Sequence, residues 1–192
     1  MRMRLLPTVA LCCVAGVLAA AAGASYGPDG PPLPATSADT RVVKQRSGFD
    51  PGKSPDLWAT INVCDTPRAK NTIGIRGSMP GLRGRRPSVL QMRFSVQFKT
   101  GPGRWRDTGR SADSGWLRLG RTRTEVIETG QDFRFRPPAT GQHTLRGVVR
   151  YRWKRGGRIV ERKKRTTEVG HRSTAGADPA GYSASQCRIT AP

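Results

Sequence analysis

The chain has 192 residues, with 34 lysines and arginines against 13 aspartates and glutamates, so its formal net charge is +21 at pH 7. That length suits one domain with a hydrophobic core, and that charge favours an anionic partner. His143 and His171 are the only histidines, which leaves little material for a hydrolytic triad or a histidine-rich metal site.

The N-terminus predicts export. A short basic stretch at residues 1–4 precedes an almost wholly apolar run, and Ala22-Gly23-Ala24 fits an A-x-A cleavage site. We therefore expect a signal peptide over residues 1–24 and no membrane span after its cleavage. The mature protein would be secreted, extracellular or associated with the cell wall. An uncleaved signal anchor is the alternative.

The rest of the chain divides by composition at about residue 57. Residues 25–56 are rich in Pro, Gly, Ser and Asp, which predicts a disordered arm or linker. Residues 57–189 show short alternating runs between turn residues, the pattern of a single antiparallel β-sandwich. Before the final hairpin, strands are predicted at 57–64, 72–76, 89–99, 104–108, 116–119 and 131–135.

Two segments break this pattern of strands. Residues 77–84 contain several prolines and glycines and are predicted to form a loop. Residues 121–129 are the one helix candidate, although their β-branched residues are poor helix formers.

Cleavage of the signal peptide would leave Cys64 and Cys187 as the two cysteines of an exported chain. An even pair outside the cytoplasm predicts a disulfide. The bridge would tie the beginning of the folded domain to its end. Two free thiols are the alternative.

The most informative element is a predicted β-hairpin with strands at 143–154 and 159–169. Its turn, Gly156-Gly157, suits the positive φ angles of a two-residue type I′ or II′ loop. The resulting register places Arg150 opposite Lys163. Like charges that face each other destabilise a sheet, so an anion bound between them would relieve the repulsion.

The two faces of this hairpin suggest a binding site for an anionic polymer. Tyr151 and Trp153 lie near the tip on one face and are predicted to stack on ligand groups. The predicted anion-binding residues are Arg146, Arg150, Arg152, Lys154, Lys163 and Arg165. Cell-wall polymers, sulfated glycans and extracellular nucleic acid all suit this chemistry. The alternative is a solvated edge whose charges prevent aggregation.

The four tryptophans are predicted to divide between core and surface positions. Trp58, Trp105 and Trp116 are assigned to core or edge packing, and Trp153 is predicted to be partly exposed.

Catalytic, metal and cofactor sites are not predicted. The two histidines are far apart in sequence, and neither lies in a nucleophile motif. Asp107, Asp113 and Asp132 would form a calcium site only if folding brought them together. No catalytic residue is assigned, and no cofactor or metal is expected.

Residues 73–81, 92–97 and 146–153, with the paired cysteines, resemble secreted immunoglobulin-like or fibronectin-type β-sandwich modules of bacteria. The resemblance implies an interaction module over residues 57–189 without naming a ligand. The cysteines lie near the two ends of the domain, which departs from the antibody pattern.

We therefore expect an exported, non-catalytic binding or surface-associated module. The alternatives are a structural or spacer sandwich with no specific ligand and, third, a small secreted hydrolase.

Overall fold

The structure, a computed structural model, describes residues 49–192 of the chain. Within that range the protein is all-β, with nine strands in two antiparallel sheets and short 3-10 turns at Pro51–Lys53 and Arg110–Ala112. The predicted all-β class is therefore confirmed. The predicted signal peptide, 1–24, and most of the predicted arm, 25–56, lie outside the described residues. In the described part, no helix is long and apolar enough to span a membrane.

Three strands form the smaller sheet, in the order β1-β2-β6. Their bounds are Trp58–Cys64 for β1, Thr72–Pro80 for β2 and Val126–Arg134 for β6. β2 continues beyond the strand predicted at 72–76, so the loop predicted over 77–84 is wrong as far as Pro80. Gly77 allows this continuation because the core approaches it closely. A Cβ atom there would lie 3.1 Å from the Tyr151 hydroxyl.

The helix candidate at 121–129 is also wrong. Its first residues end β5 (Leu117–Thr122) and its last residues lie in β6. Between these strands the hydroxyl of Thr122 accepts hydrogen bonds from the N–H groups of Thr124 and Glu125, at 3.3 and 3.0 Å. The many β-branched residues in this segment favour extended backbone.

The larger sheet has β3 and β7 at its centre, paired from Val89–Lys154 to Phe98–Leu145. On the edge of β3 that faces away from β7, β4 and β5 pair with different parts of the strand. On the edge of β7 that faces away from β3, β8 and β9 do the same. The bounds of these strands, besides β5, are β3 (Ser88–Gly101), β4 (Arg104–Asp107), β7 (Gln142–Arg155), β8 (Arg158–Thr166) and β9 (Cys187–Thr190).

Side chains from both sheets pack into one hydrophobic cluster. The alternation predicted for β3 is confirmed, because Leu90, Met92 and Phe94 are fully buried while Gln91 and Arg93 point to the other side. The buried members from β1, β2 and β7 include Ala59, Ile61, Ile73, Ile75, Leu145, Val149, Tyr151 and Trp153. The core therefore covers one face of the six-stranded sheet and leaves the opposite face, called here the outer face, for other contacts.

The predicted disulfide between Cys64 and Cys187 is confirmed. It joins the end of β1 to the start of β9 across a sequence separation of 123 residues. β9 was not predicted from the sequence. Its four residues pair with the beginning of β7, where Leu145 faces Cys187.

Candidate anion-binding face

The hairpin formed by β7 and β8 has the predicted turn but a different register. Gly156 and Gly157 have φ angles of 54° and 80°, as a primed turn requires. Beyond the turn, a bulge at Val160 shifts the pairing, so that Arg150 lies opposite Lys164 and not opposite Lys163. Since side chains alternate between faces, this shift of one residue turns all later side chains of β8 to the other side.

The bulge removes two of the six predicted anion-binding residues from the outer face. Lys163 Nζ lies 3.1 Å from Asp50 Oδ1. Arg165 donates through Nε to the carbonyl of Leu57 at 3.3 Å, and through Nη2 to the carbonyl of Gly52. These cations hold the segment before β1 against β8. Arg162 and Lys164, which were not predicted as site residues, occupy the outer face instead.

The two residues predicted to stack on ligand groups are buried, so they cannot contact a ligand. Tyr151 and Trp153 are both 0% exposed. The Tyr151 hydroxyl donates to the carbonyl of Trp58 at 2.5 Å, and Trp153 Nε1 donates to the carbonyl of Pro80 at 2.8 Å. Burial raises the pKa of the Tyr151 phenol above its ordinary range. Trp153, predicted to be partly exposed, is therefore a core residue.

A clamp at the tip of the hairpin helps to explain this burial. Arg155 donates to Ser88 Oγ at 2.9 Å, to the carbonyl of Arg83 at 2.9 Å and to the carbonyl of Leu82. The loop after β2 is thereby held against the tip, above the side of the hairpin that carries Trp153. Arg155 was not predicted from the sequence to have a role.

Four neighbouring strands contribute cations to the outer face at its hairpin end. Arg152 of β7 stands between Gln91 of β3 and Arg162 of β8, and Arg118 of β5 lies on the far side of Gln91. The cations at this end of the face are Arg93, Arg118, Arg121, Arg150, Arg152, Lys154, Arg162 and Lys164. Arg146, also predicted, lies on the same face nearer β4.

Within the described residues, Asp113 is the carboxylate that forms a salt bridge with a cation of this face. Arg93 donates to both of its oxygens, with Nε–Oδ1 at 2.7 Å and Nη2–Oδ2 at 2.6 Å. These hydrogen bonds hold the pKa of Asp113 below its usual range, helped by the N–H of Gly115 and the charge of Arg150. The other cations at this end keep a positive field.

Two tryptophans cover arginines on the outer face in matching arrangements. The guanidinium of Arg146 lies 4.3 Å from the ring centroid of Trp105, and that of Arg152 lies 3.9 Å from that of Trp116. In both cases Nε donates to a glutamine of β3, Gln97 at 2.9 Å or Gln91 at 2.8 Å. Each Arg–Trp–Gln group is called here a bracket. Partial burial lowers the pKa of Arg146 through desolvation.

Trp105 and Trp116 are thus half-buried surface residues. Their predicted core or edge packing takes the form of stacking on arginines of β7. Trp58, in contrast, is 9% exposed and stacks on the ring of His171, with centroids 4.2 Å apart.

Two shallow depressions mark the outer face. The first, called here the tip depression, has a volume of about 330 Å³ and is lined by Pro87, Val89, Gln91, Arg118, Arg121, Lys154, Gly156 and Gly157. The second, the central depression, has a volume of about 320 Å³ and is lined by Arg93, Ser95, Val96, Asp107, Gly109, Arg110, Asp113 and Arg150. The first has no carboxylate in its lining, whereas the second has two.

The structure does not bring the other polar candidates together. Asp107 of β4 and Asp113, in the segment before β5, both line the central depression, but Asp132 lies on β6 of the smaller sheet, so the three carboxylates do not form one site. His143 is exposed at the start of β7, and His171 Nε2 lies 3.3 Å from Glu168 Oε1. Among residues 49–192, no group of three or more histidine, cysteine, aspartate or glutamate side chains is placed to hold a metal ion.

Comparison with known proteins adds no family. No protein-family model and no curated protein matches the chain. Among solved structures, a Bacteroides fragilis protein assigned as a beta-galactosidase aligns at 13% sequence identity and a TM-score of 0.34. The alignment covers 60% of this chain and 16% of that one. A likeness at this level carries no argument about fold or activity.

Proposed function

We propose that this chain is an exported, non-catalytic module that binds an anionic polymer through the outer face of its six-stranded sheet. The observation that carries the proposal is the concentration of cations from β3, β5, β7 and β8 at one end of that face, with Asp113 as their salt-bridge partner in the described residues. An immunoglobulin-like sandwich is the fold we propose for the domain, because two antiparallel sheets share one core.

The arrangement of charges is costly for the fold alone. Arg150 lies between Arg93 on one neighbouring strand and Lys164 on the other. Arg152 lies opposite Arg162. Like charges directly opposite each other cost roughly 0.2–1 kcal/mol per pair, although the pairing of Arg93 with Asp113 reduces the first of these terms. A bound polyanion would offset the remainder.

The spacing of the cations suits a polymer with closely repeated charges. Residues on one face of a strand recur about every 6.4–6.8 Å, and neighbouring strands lie about 4.8 Å apart. Arg150, Arg152 and Lys154 follow each other at this interval along β7, and Arg162 and Lys164 do so along β8. Several anionic groups of one chain could therefore be contacted at once. Their neutralisation would release counterions and make binding strongly dependent on salt.

A test follows from the division of β8 between two faces. The variant R150S/R152S/R162S/K164S removes four outer-face cations. The variant K163S/R165S removes two cations of the same hairpin that contact the segment before β1. Binding of the oxidised protein to polyphosphate, heparin and duplex DNA would be measured across a salt series.

We expect the four-residue variant to lose binding by about 100-fold or more at 150 mM salt, since each phosphate contact contributes to the salt-dependent term. The K163S/R165S variant should bind within about threefold of the parent, because it leaves the cations of the outer face unchanged. Equal binding by all three proteins, or no binding by the parent at 150 mM salt, would refute the proposal.

A structural or spacer module is the second candidate, and one observation favours it. Arg146, Arg150 and Arg152 already donate to Gln97, Ser95 and Gln91 within the protein. These bonds rigidify the sheet without a ligand. The salt series separates the two candidates, because a spacer has no reason to retain polyanions at physiological salt.

A further inference from the structure

We propose that the tip depression is the anchoring subsite of the polymer and that it takes a tetrahedral oxyanion group, a phosphate or a sulfate. This inference rests on the proposed function and deepens it. It assigns the primary contacts to Arg118, Arg121 and Lys154, of which only Lys154 was predicted from the sequence.

The tip depression is lined by cations without carboxylates, whereas the central depression is lined by both. Arg118, Arg121 and Lys154 line the tip depression, and no carboxylate lies beside them. The central depression contains Asp107 and Asp113 among its cations. An anion therefore meets an uncompensated positive field at the tip and a largely neutralised one at the centre.

The donors at the tip are also unoccupied. Within residues 49–192, Arg118, Arg121 and Lys154 form no salt bridge, and their side chains make no hydrogen bond to another residue. Arg146, Arg150 and Arg152, in contrast, already donate to neighbouring side chains. A ligand at the tip gains new hydrogen bonds without breaking existing ones.

The strand register makes these three cations converge. Arg121 of β5 and Lys154 of β7 lie on opposite sides of Val89 of β3, and Arg118 lies beside Gln91, the next outward residue of β3. Two strands that flank a third have backbones about 9.6 Å apart. Long side chains from both strands can reach across this distance and contact one small anion between them. The turn glycines 156 and 157 complete the rim, and a Cβ at either would meet nothing within 4 Å, so access is open.

Three convergent donor groups fit a tetrahedral anion better than a carboxylate. The free oxygens of a phosphate or sulfate point in tetrahedral directions, so a guanidinium can hold two of them while an ammonium or a second guanidinium approaches from another side, where a sulfate ester or a phosphate monoester has a third oxygen. A carboxylate has only two oxygens to offer. We therefore expect polymers of phosphate or sulfate groups to bind more tightly than polycarboxylates of equal charge.

The same face offers little to nucleobases. Proteins that bind single-stranded nucleic acid combine a basic groove with aromatic rings on which bases stack. Here Tyr151 and Trp153 are buried, and Trp116 is covered on one side by Arg152. Recognition by charge and oxyanion geometry alone points to a non-aromatic polymer.

The test compares a tip variant, R118S/R121S, with a matched control, R68S/R134S. Arg68 lies in the loop between β1 and β2 and Arg134 ends β6, so the control removes the same charge from the smaller sheet. All four are exposed, and a thermal melt of each protein would verify folding. The probes are polyphosphate, dextran sulfate, poly-glutamate and oligo-dT of matched charge, titrated at 150 mM salt. K154S serves as a second tip variant if the double variant does not fold.

We expect the tip variant to bind polyphosphate or dextran sulfate at least about tenfold more weakly than the parent, and the control to change by less than about threefold. Which of the two polymers the parent prefers distinguishes a phosphate from a sulfate source. If the tip variant binds like the control while R150S/R152S/R162S/K164S still loses binding, the subsite is wrong and the proposed function stands. Tighter binding of poly-glutamate than of both polyphosphate and dextran sulfate would overturn the ligand class, and tighter binding of oligo-dT than of both would overturn its non-aromatic character.

Discussion

Arg152 and Trp116 form a stacked pair on the outer face, with the guanidinium carbon 3.9 Å from the ring centroid. Because Nε of the same arginine donates to Gln91, the guanidinium is fixed both in plane and in direction. Arg146 and Trp105 repeat the arrangement six residues away along β7, about 20 Å distant for an extended strand. The brackets therefore anchor β4 and the segment leading into β5 to the centre of the sheet.

Replacing the bracket arginines by lysine, in R146K/R152K, should lower stability while keeping the charge. Lysine cannot stack flat on the ring while donating to glutamine, so we expect a loss of about 1–2 kcal/mol in the free energy of unfolding. Urea denaturation would measure it. R118K/R121K changes arginines that have no bracket and is the matched control. Equal stability of both variants would show that the brackets contribute nothing.

The buried hydroxyl of Tyr151 provides a second prediction. Its removal in Y151F leaves the carbonyl of Trp58 without that donor inside the core, which should cost about 1–3 kcal/mol of stability. Tyr182 is partly exposed, and its hydroxyl has no hydrogen-bond partner among the described residues. Y182F should therefore change the free energy of unfolding by less than about 0.5 kcal/mol. The prediction fails if the two variants are equally stable.

The cations that face away from the outer face should act on the segment before β1. We expect K163S/R165S to raise the rate of amide hydrogen exchange around Gly52, since the contacts to Asp50 and to the carbonyls of Gly52 and Leu57 are lost. Exchange in β3 should be unchanged. R162S/K164S, which alters their neighbours on the other face, is the control. Unaltered exchange around Gly52 in K163S/R165S would contradict the assignment.

Asp113 should make stability depend on pH in the acid range. Its folded-state pKa is lowered by the hydrogen bonds from Arg93, so its contribution to stability is present above the pKa of the unfolded chain. That contribution is lost as the pH falls through the lower folded pKa. We therefore expect the free energy of unfolding to decrease from about pH 5 toward pH 3, and D113N to flatten the decrease.

Urea denaturation at a series of pH values would check this dependence. E128Q is a suitable control, because Glu128 is exposed on β6 and forms no salt bridge within the described residues. A D113N profile parallel to that of the parent would rule out Asp113 as the cause. The low-pH loss would also be accompanied by weaker ordering of Arg93, the partner of Asp113.

Local patterns were sufficient for the parts of the fold that depend on neighbours in sequence. The alternation of β3 and the paired glycines of the hairpin turn were both interpreted correctly. The disulfide, which is a long-range contact, was predicted correctly from the number of cysteines. The burial of Trp153 could not be predicted, because it depends on the loop after β2 and on the Arg155 clamp. Gln91 and Gln97, six residues apart on the polar face of β3, were an available signal for the brackets, but their partners become evident only with the register of β7.

The candidate site was less accessible from sequence than the fold. The concentration of cations in β7 was visible, whereas the contribution of Arg118 and Arg121 requires the pairing of β5 with β3. The exclusion of Lys163 and Arg165 requires the bulge, which no composition or periodicity signals. Long-range pairing and a local irregularity therefore decided which cations share a face.

The bulge at Val160 has a consequence for how this hairpin tolerates change. Substitutions in β8 alter one contact each, but one uncharged residue inserted between Glu161 and Arg162 would shift the register and exchange the two sides of the strand beyond that point. Arg162 and Lys164 would turn toward the segment before β1, and Lys163 and Arg165 would turn outward. The formal charge of the hairpin would be unaltered, but its contacts with the segment before β1 and its exposed pattern of charges would both change. The number of residues in β8, more than its composition, determines which of its cations contact the segment before β1 and which lie on the outer face.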